Sequence, residues 1–283
     1  MTVSEPPTVA CLVDLLERRF PPAWAESWDR VGLVVGEPDA QVRRVLLVVD
    51  CVPETVEQAV EVDAQLIVSH HPLLLRGVSS VAATSYKGRL IHRMIRAGIA
   101  LYTAHTNADV AYPGVSDALA DRIGLLDQRP LRQVGDDPRR GFGRIGRLPT
   151  TMTLAAFTQR VAAVLPATAW GVRAAGAPQR PVSTVAVCGG AGDSFFADAM
   201  AAGVDAYLTA DLRHHPASEF ISEDGPALLD AAHWATERLW LDPLAAYLTG
   251  AAPIATIVSD LDTEPWTLHA PSGGAEPRKE PHT

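Results

Sequence analysis

The sequence predicts an α/β protein of two related α/β domains, each with a mixed or mainly parallel sheet flanked by helices. Short apolar runs rich in Val, Leu and Ile alternate with amphipathic helical segments, a pattern typical of buried strands covered by helices. A helix, a short strand and an HHP sequence follow one another twice, ending at Pro72 and at Pro216, which suggests two halves of similar topology. Chance convergence of two short α/β units is the alternative. A chain of 283 residues, 47% of them hydrophobic, can bury a full core.

The first half is expected to alternate between helices and strands. Its helices carry apolar residues at helical spacing, and its strands are near-continuous apolar runs. Pro53 suits a first helical turn and Gly98 suits a helix end. The predicted elements are a helix at 8–20, a strand at 45–49, a helix at 53–62, a strand at 65–69, a helix at 87–97, a strand at 99–103 and a helix at 117–123.

The second half is predicted to repeat this alternation after a polar segment rich in Arg and Gly. Its predicted elements are a helix at 153–165, a strand at 185–188, a helix at 195–202, a strand at 205–209 and a helix with a leucine stripe at 239–248. We therefore expect a first domain at 1–127, a linker or hairpin at 128–150, a second domain at 151–262 and a disordered tail at 263–283.

Charge and cysteine usage exclude several classes of protein. The formal net charge of -9 argues against a nucleic-acid-binding protein, which needs clustered Lys and Arg to neutralise phosphates. Cys11, Cys51 and Cys188 lie far apart and form no CxxC pair, which suits a reducing compartment, so a cytoplasmic location is expected. The N-terminal segment lacks the pattern of a signal peptide, and no apolar stretch reaches about 18 residues, so no membrane span is expected.

Histidines and a carboxylate follow strands that should end at the same edge of one sheet. His70 and His71 come directly after the strand at 65–69, and Pro72 stiffens the turn. Asp109 follows the next predicted strand in the polar sequence AHTNAD, where a turn or helix cap is its alternative role. Because ligands bind at the carboxyl edge of open α/β sheets, we expect these side chains to converge.

His233 and Glu237 form a second pair, four residues apart in the sequence AAHWATE. On a helix this spacing places both side chains on one face, where they can close on one cation. A solvent-facing pair is the alternative. Five side chains thus become candidate metal ligands: His70, His71, Asp109, His233 and Glu237.

The types of these ligands indicate the metal and the chemistry. Imidazoles mixed with carboxylates suit zinc, iron or manganese better than calcium or magnesium, whose sites are built from oxygen. Five ligands exceed the three that usually hold one catalytic zinc, so two divalent metal ions per chain are expected. A water held between two ions about 3.5 to 4 Å apart loses its proton near neutral pH, which is hydrolase chemistry.

Six motifs occur in order along the chain: WDRVGLVVG, VSHHPLLLRG, AHTNADVAYPGVSDALA, GFGRIGRL, DAYLTADLRHHPA and AAHWATERLWL. In these motifs the chain resembles the Nif-three-like dinuclear-metal proteins, often named GTP cyclohydrolase 1 type 2 homologues. The resemblance implies the same five ligands, with Glu237 bridging the ions, and cavity-lining roles for His105, His214 and His215. It also implies two similar α/β domains, the short form without a large inserted domain, and a toroidal homohexamer.

These observations give two hypotheses of function. The first is a metal-dependent hydrolase of the GTP cyclohydrolase 1 type 2-like family, in which a metal-held hydroxide attacks a small nucleotide or phosphoester. Glu237 and Asp109 would hold the ions, and His105 or His214 would relay protons or position the substrate, so the candidate catalytic residues are Glu237, His105 and His214. The alternative is a non-catalytic metal-binding assembly that delivers metal or serves as a regulatory scaffold.

Overall fold

Two mixed sheets, each flanked by helices, form the α/β fold that the sequence predicts. The structure is a computed structural model that describes residues 5–270. It divides into two compact units: the first contains the described residues up to Ala118 together with Glu237–Thr263, and the second contains Leu119–Thr236 together with the described residues from Glu264 onward.

Strands and helices alternate along most of the described chain. The strands are β1 (Gly32–Val35), β2 (Arg44–Val48), β3 (Leu66–Ser69), β4 (Ala100–Thr103), β5 (Leu126–Gln133), β6 (Gly141–Thr153), β7 (Val172–Ala175), β8 (Pro181–Ala191), β9 (Ala206–Ala210), β10 (Ala227–Ala231) and β11 (Ala255–Val258). The α-helices are α1 (Val9–Arg19), α2 (Pro53–Glu61), α3 (Tyr86–Ala97), α4 (Thr106–Val110), α5 (Val115–Ile123), α6 (Leu154–Val164), α7 (Phe196–Ala201), α8 (His214–Ser222), α9 (His233–Glu237) and α10 (Leu241–Ala251). Short 3-10 helices lie at Pro22–Trp24, Asp193–Phe195 and Arg238–Trp240.

The sheet of the first unit has the strand order β1-β4-β3-β2-β11. β4, β3, β2 and β11 are parallel, and β1 is antiparallel to β4. Every residue of β3 and β4 is buried, which explains why these strands read as near-continuous apolar runs. Because β3 and β4 are parallel neighbours, their carboxyl ends meet at the same edge of the sheet.

The sheet of the second unit has the strand order β5-β6-β8-β9-β10-β7. β8, β9 and β10 are parallel, whereas β5, β6 and β7 join by antiparallel pairing. The polar segment predicted as a linker or hairpin is an antiparallel hairpin of β5 and β6 that belongs to this sheet. The composition of this segment differs from that of a core strand for two reasons: much of β5 is exposed, and β6 buries the side chain of Arg144.

The units have different boundaries from those predicted for the domains. The chain from Glu237 to Thr263 returns to the first unit, where β11 pairs in parallel with β2. The predicted second domain, 151–262, therefore differs from the observed second unit at both of its ends. A pairing between strands so distant in sequence leaves no local signal.

Two smaller segments also differ from expectation, and a third is described only in part. The AHTNAD sequence, predicted as a polar loop, forms the short helix α4. The second HHP sequence forms the first turn of α8, where Pro216 is tolerated because a first turn needs no donor from its nitrogen. The predicted tail is described only as far as residue 270, and Thr263 donates a hydrogen bond to Asp50; its segment PSGGAEPRKEPHT lies outside the described residues.

No helix in residues 5–270 is both long enough and apolar enough to cross a lipid bilayer.

Gly36, just after β1, has no room for a side chain. Its φ is +130°, and a Cβ atom built there would lie 2.4 Å from the Cβ of Ala100. Gly32 also has a positive φ, +104°, but a Cβ there would meet nothing within 4 Å. We expect Gly36→Ala to lower the free energy of unfolding by about 1–3 kcal/mol more than Gly32→Ala does, because only the first adds a steric clash to backbone strain. Urea unfolding of both variants measures this, and equal losses would contradict the packing described.

Candidate metal centre

A cluster of imidazoles and carboxylates lies at the carboxyl edge of the first unit's sheet. His70 and His71 follow β3 directly, and their backbone N–H groups donate to the carbonyls of Val48 and Val49 at 3.0 and 2.8 Å. These bonds continue the parallel pairing beyond the end of β3, which holds both histidines beside β2. The sequence predicted this edge as the site because both histidines directly follow a buried strand.

Two carboxylates face the imidazoles in the same unit. Glu237 is buried; its Oε1 lies 3.5 Å from Nε2 of His70, and its Oε2 lies 3.1 Å from Nε2 of His71. Oδ1 of Asp109 lies 3.6 Å from Nε2 of His70. Glu237 thus directs one oxygen to each histidine, which is the arrangement required of a carboxylate that bridges two ligand sets. His105 completes the cluster, since one ligand atom from each of His70, His71 and His105 lies within 4.8 Å of the others.

Hydrogen bonds fix the tautomers of His70 and His71. Nδ1 of His70 lies 2.9 Å from the carbonyl oxygen of Ala104, and Nδ1 of His71 lies 2.7 Å from Oδ1 of Asp50. A carbonyl or an ionised carboxylate only accepts, so each Nδ1 donates its hydrogen. The lone pair of each neutral ring is then on Nε2, the atom that faces Glu237. In metal sites of proteins, a hydrogen bond from one ring nitrogen in the same way orients the histidine whose other nitrogen binds the metal.

His105 is oriented in the same way by a buried acid. Its Nδ1 donates to Oδ1 of Asp29 at 2.8 Å, while Oδ2 of Asp29 accepts from the backbone N–H and the hydroxyl of Thr106. Burial opposes ionisation of Asp29, but these hydrogen bonds outweigh it and hold the pKa of the carboxyl well below its usual range. Asp29 is therefore a fixed negative charge that keeps Nε2 of His105 available on the opposite side of the ring.

His233 begins α9, the short helix that ends at Glu237, and it belongs to the second unit. Its Nδ1 lies 2.8 Å from Oδ2 of Asp211, a residue with a positive φ of 59°. An acceptor at Nδ1 therefore orients the ring of His233, as acceptors at Nδ1 orient the rings of His70, His71 and His105. His214 and His215, in contrast, are exposed at the start of α8 in the second unit, where their rings contact each other.

The electrostatics of the cluster favour a positive charge. Burial lowers the pKa of His71, but the carboxylates of Glu237 and Asp50 outweigh it and raise the pKa to about 10. Burial likewise opposes the charged form of His70, yet Glu237 and Asp109 raise its pKa. Burial raises the pKa of Asp109. A cation that binds here near neutral pH must therefore displace a proton from His71.

The donor set fits a divalent metal of the zinc, iron or manganese type. Nε2 of His70 is buried and makes no hydrogen bond to any described residue. A buried ring nitrogen without a hydrogen bond is costly unless another group binds it, and a metal ion is such a group. The neighbouring atoms are imidazole nitrogens and carboxylate oxygens, the ligands that these metals share.

Asp29, Asp50 and Asp211 are the site residues that the sequence analysis did not identify. Each accepts a hydrogen bond from Nδ1 of a clustered or candidate histidine. Asp50 directly follows a predicted strand, so its position at a sheet edge was a usable signal. Asp29 and Asp211 lie in irregular segments, and no local pattern assigns them to a particular histidine.

Comparison with known proteins gives the family of the chain. The sequence profile described as Duf34/NIF3 (NGG1p interacting factor 3) matches residues 7–265. The chain belongs to the DUF34/NIF3 family. A Streptomyces coelicolor protein named GTP cyclohydrolase 1 type 2 homolog is 51% identical to this DUF34/NIF3 chain over 273 residues, which cover 94% of this chain and 96% of that protein.

Two solved structures resemble the DUF34/NIF3 chain over nearly their whole length. A Bacillus cereus protein related to NIF3 superposes with a TM-score of 0.87 at 22% identity, covering 94% of this chain and all of that chain (100%), and shows the shared fold alone. A Staphylococcus aureus hypothetical protein superposes with a TM-score of 0.85 at 28% identity and the same coverage of 94% and 100%. The predicted family and fold class are confirmed.

Proposed function

We propose that this DUF34/NIF3 protein is a metal-dependent hydrolase that binds two divalent cations per chain. One observation carries the proposal: Glu237 directs one oxygen to Nε2 of His70 and the other to Nε2 of His71, and the Nδ1 atom of each ring is already occupied by an acceptor. Hydrogen bonds at Nδ1 of this kind orient the Nε2 atoms of both rings as metal ligands. The ions proposed are zinc, iron or manganese.

Four of the five proposed ligands lie at the edge of the first sheet. His70, His71, Asp109 and Glu237 would hold the cations there, and Glu237 faces both histidines. His233 is the fifth proposed ligand, because it lies four residues before Glu237 in the same short helix and its Nδ1 is already bonded to Asp211. Bound divalent cations would supply Lewis acidity to a substrate oxygen and would make a nearby water more acidic.

His105 and His214 are the residues proposed to move protons or position the substrate. With Nδ1 of His105 held by Asp29, its Nε2 is the atom placed to accept or return a proton beside the cluster. His214 is exposed in the second unit, so its proposed role is contact with the substrate. The name of the Streptomyces coelicolor relative supports a nucleotide as the proposed substrate class, and a phosphoester is the alternative substrate.

The proposed assembly is a toroidal homohexamer in the cytoplasm. The motifs shared with the dinuclear-metal family support the ring, and the three separated cysteines support the reducing compartment. Sedimentation of the purified chain should give a native mass near six chains, whereas a stable monomer would contradict the assembly.

Metal content and turnover together test the proposed function. Protein purified without chelator and reconstituted with zinc, iron or manganese should hold about two ions per chain by elemental analysis. It should then hydrolyse GTP or a member of a phosphoester panel, with activity lost in chelator and restored by metal. Two bound ions without turnover on any substrate would favour the delivery or scaffold role. A protein that binds no metal would refute the site itself.

A further inference from the structure

A groove on the second unit lies between the edge strand β7 and the helix α8. Its volume is about 420 Å³, and its walls come from β7, β10, α8 and the segment that leads into α8. We propose that this groove binds an acidic peptide segment of another protein, which adds to β7 as a further strand. This function goes beyond the proposed hydrolase and requires no bound metal.

The free edge of β7 offers backbone groups to an added strand. β7 is the last strand in the order of its sheet, and β10 is its one neighbour among the described strands. In an antiparallel pair, alternate residues direct their N–H and C=O groups away from the neighbouring strand. Two of the four residues of β7 therefore direct these groups outward. An extended peptide can pair with them by hydrogen bonds.

The groove follows the backbone edge of β7 as well as one face of the sheet. Three consecutive residues of β7, 173–175, line it, and all three are exposed. Successive side chains of a strand point to opposite faces, so side chains alone do not place three neighbours on one wall. The opposite wall is one face of α8, formed by Ala217, Ser218, Ile221 and Ser222. A bound strand would thus lie between β7 and α8.

The other edge strand of this sheet, β5, is protected against such pairing. It carries Arg129 and Pro130, and its register with β6 is irregular between Leu126 and Arg129. Proline, charged side chains and irregular pairing are means by which edge strands avoid adding a strand. β7 is protected only by its shortness: its register with β10 is regular, and its charged residue, Arg173, pairs with Asp230. It can accept a segment of about four residues, roughly 13 Å long.

Small side chains on both walls leave room for apolar side chains of the peptide. Ala174 and Ala175 of β7 and Ala217 of α8 contribute only methyl groups, and the buried side chains of Leu212 and Leu228 complete the apolar part of the lining. Because side chains of a strand alternate, every second residue of the peptide faces the same wall. We therefore expect apolar residues at alternate positions of the peptide.

The exposed charges of the groove are positive. The side chain of Arg213 is 74% exposed and bonds to Asp193, which lies outside the lining. The side chain of Arg173 is 59% exposed, whereas its partner Asp230, the one acid among the described residues of the lining, is 7% exposed. A guanidinium carries five N–H donors, so each arginine can bond to a further carboxylate. In a protein with a net charge of -9, this positive surface favours an acidic peptide.

Fluorescence anisotropy with the full chain and labelled hexapeptides tests the proposal. The peptides alternate threonine with one apolar residue (valine, isoleucine, leucine or phenylalanine) and end in two glutamates. We expect at least one of them to bind with a dissociation constant below about 500 μM, a value typical of a small interface. Matching peptides that end in two lysines should bind about ten-fold more weakly. No binding by any glutamate peptide, or equal binding by both series, would overturn the proposal.

N-methylation of the best peptide tests whether its backbone pairs with β7. A methyl group on a peptide nitrogen removes that hydrogen-bond donor. Since alternate residues of an added strand direct their N–H groups toward β7, methylation at one set of alternate positions should weaken binding about ten-fold. Methylation at the neighbouring positions should change binding far less. Equal effects at both sets of positions would refute strand addition.

Two variants, each with a matched control, locate the bound peptide. Ala217→Phe fills the groove and should weaken binding about ten-fold or more, whereas Ala201→Phe makes the same change at an exposed position of α7 outside the groove. Arg213→Glu should weaken binding of the glutamate peptides and strengthen binding of the lysine peptides. Arg139→Glu is its control, because Arg139 is an exposed, ion-paired arginine outside the groove. Unchanged binding in Ala217→Phe or in Arg213→Glu would overturn the proposal.

Sedimentation of the same proteins without peptide separates a partner protein from a second copy of this chain. We expect Ala217→Phe and Arg213→Glu to keep the native mass of the wild type, because the groove is open to a different protein. Loss of association in both variants would show that a neighbouring copy occupies the groove, which would overturn the proposal. Thermal unfolding checks that the variants fold, and the exposed position of Arg213 keeps the test valid if Ala217→Phe does not.

Discussion

Glu237→Gln should remove most of the bound metal while leaving the fold intact. The substitution keeps the size of the side chain but removes the charge that faces His70 and His71 at 3.5 and 3.1 Å. An amide oxygen is a weaker ligand than a carboxylate, and its nitrogen cannot ligate, so one carboxylate can no longer serve both positions. We expect metal affinity to fall by more than about 100-fold. This exceeds the loss in affinity that is typical when a residue that only hydrogen-bonds to a metal ligand is replaced.

Elemental analysis after dialysis against buffer with a known free zinc concentration measures this loss. Glu57→Gln is the matched control: it makes the same chemical change at an exposed glutamate that pairs with Arg93, and it should retain the wild-type content. Thermal unfolding of the metal-free proteins checks that both variants fold. If Glu237→Gln still held two ions per chain, Glu237 would not be a ligand.

Asp50→Asn should weaken metal binding about 10- to 100-fold, the loss expected when the partner of a ligating histidine is removed. Asp50 accepts the Nδ1 hydrogen of His71 at 2.7 Å, and its charge helps to raise the pKa of that imidazole. An asparagine can present its amide nitrogen to Nδ1, which favours the other tautomer and withdraws the lone pair from Nε2. The loss should therefore appear in affinity rather than in folding.

Competition with a chromophoric zinc chelator measures this affinity. Thr263→Val is its control, because it removes the hydrogen bond that Thr263 donates to Asp50 while keeping the carboxylate, and it should cost far less affinity. Equal zinc affinities in Asp50→Asn and the wild type would show that the orientation of His71 does not depend on this acid.

The first sheet and the clustering of most candidate side chains at its edge could be predicted from the sequence because their signals are local. His70 and His71 directly follow the apolar run of β3, and Asp109 shortly follows β4, so parallel-sheet geometry alone brings them together. The spacing of His233 and Glu237 likewise needs only the geometry of one helix.

The second sheet and the orienting acids were not predictable in the same way. β6 carries glycines and a buried arginine, Arg144, where the apolar pattern expects a core residue. Asp29 is 76 residues from His105 and Asp50 is 21 residues from His71, so their pairings exist only after folding. Non-local contacts of this kind leave no periodic trace in a single sequence.

The pairing of β11 with β2 sets the order in which the protein can mature. Ala255 lies beside Arg44, so the fourth parallel strand of the first sheet comes from a segment much later in the sequence than the other three. On the ribosome, β11 and Glu237 emerge long after β2 and the two histidines. A nascent chain that ends before Glu237 would carry the double histidine without the acid proposed to hold the cations, so the proposed site would be complete only after Glu237 has emerged.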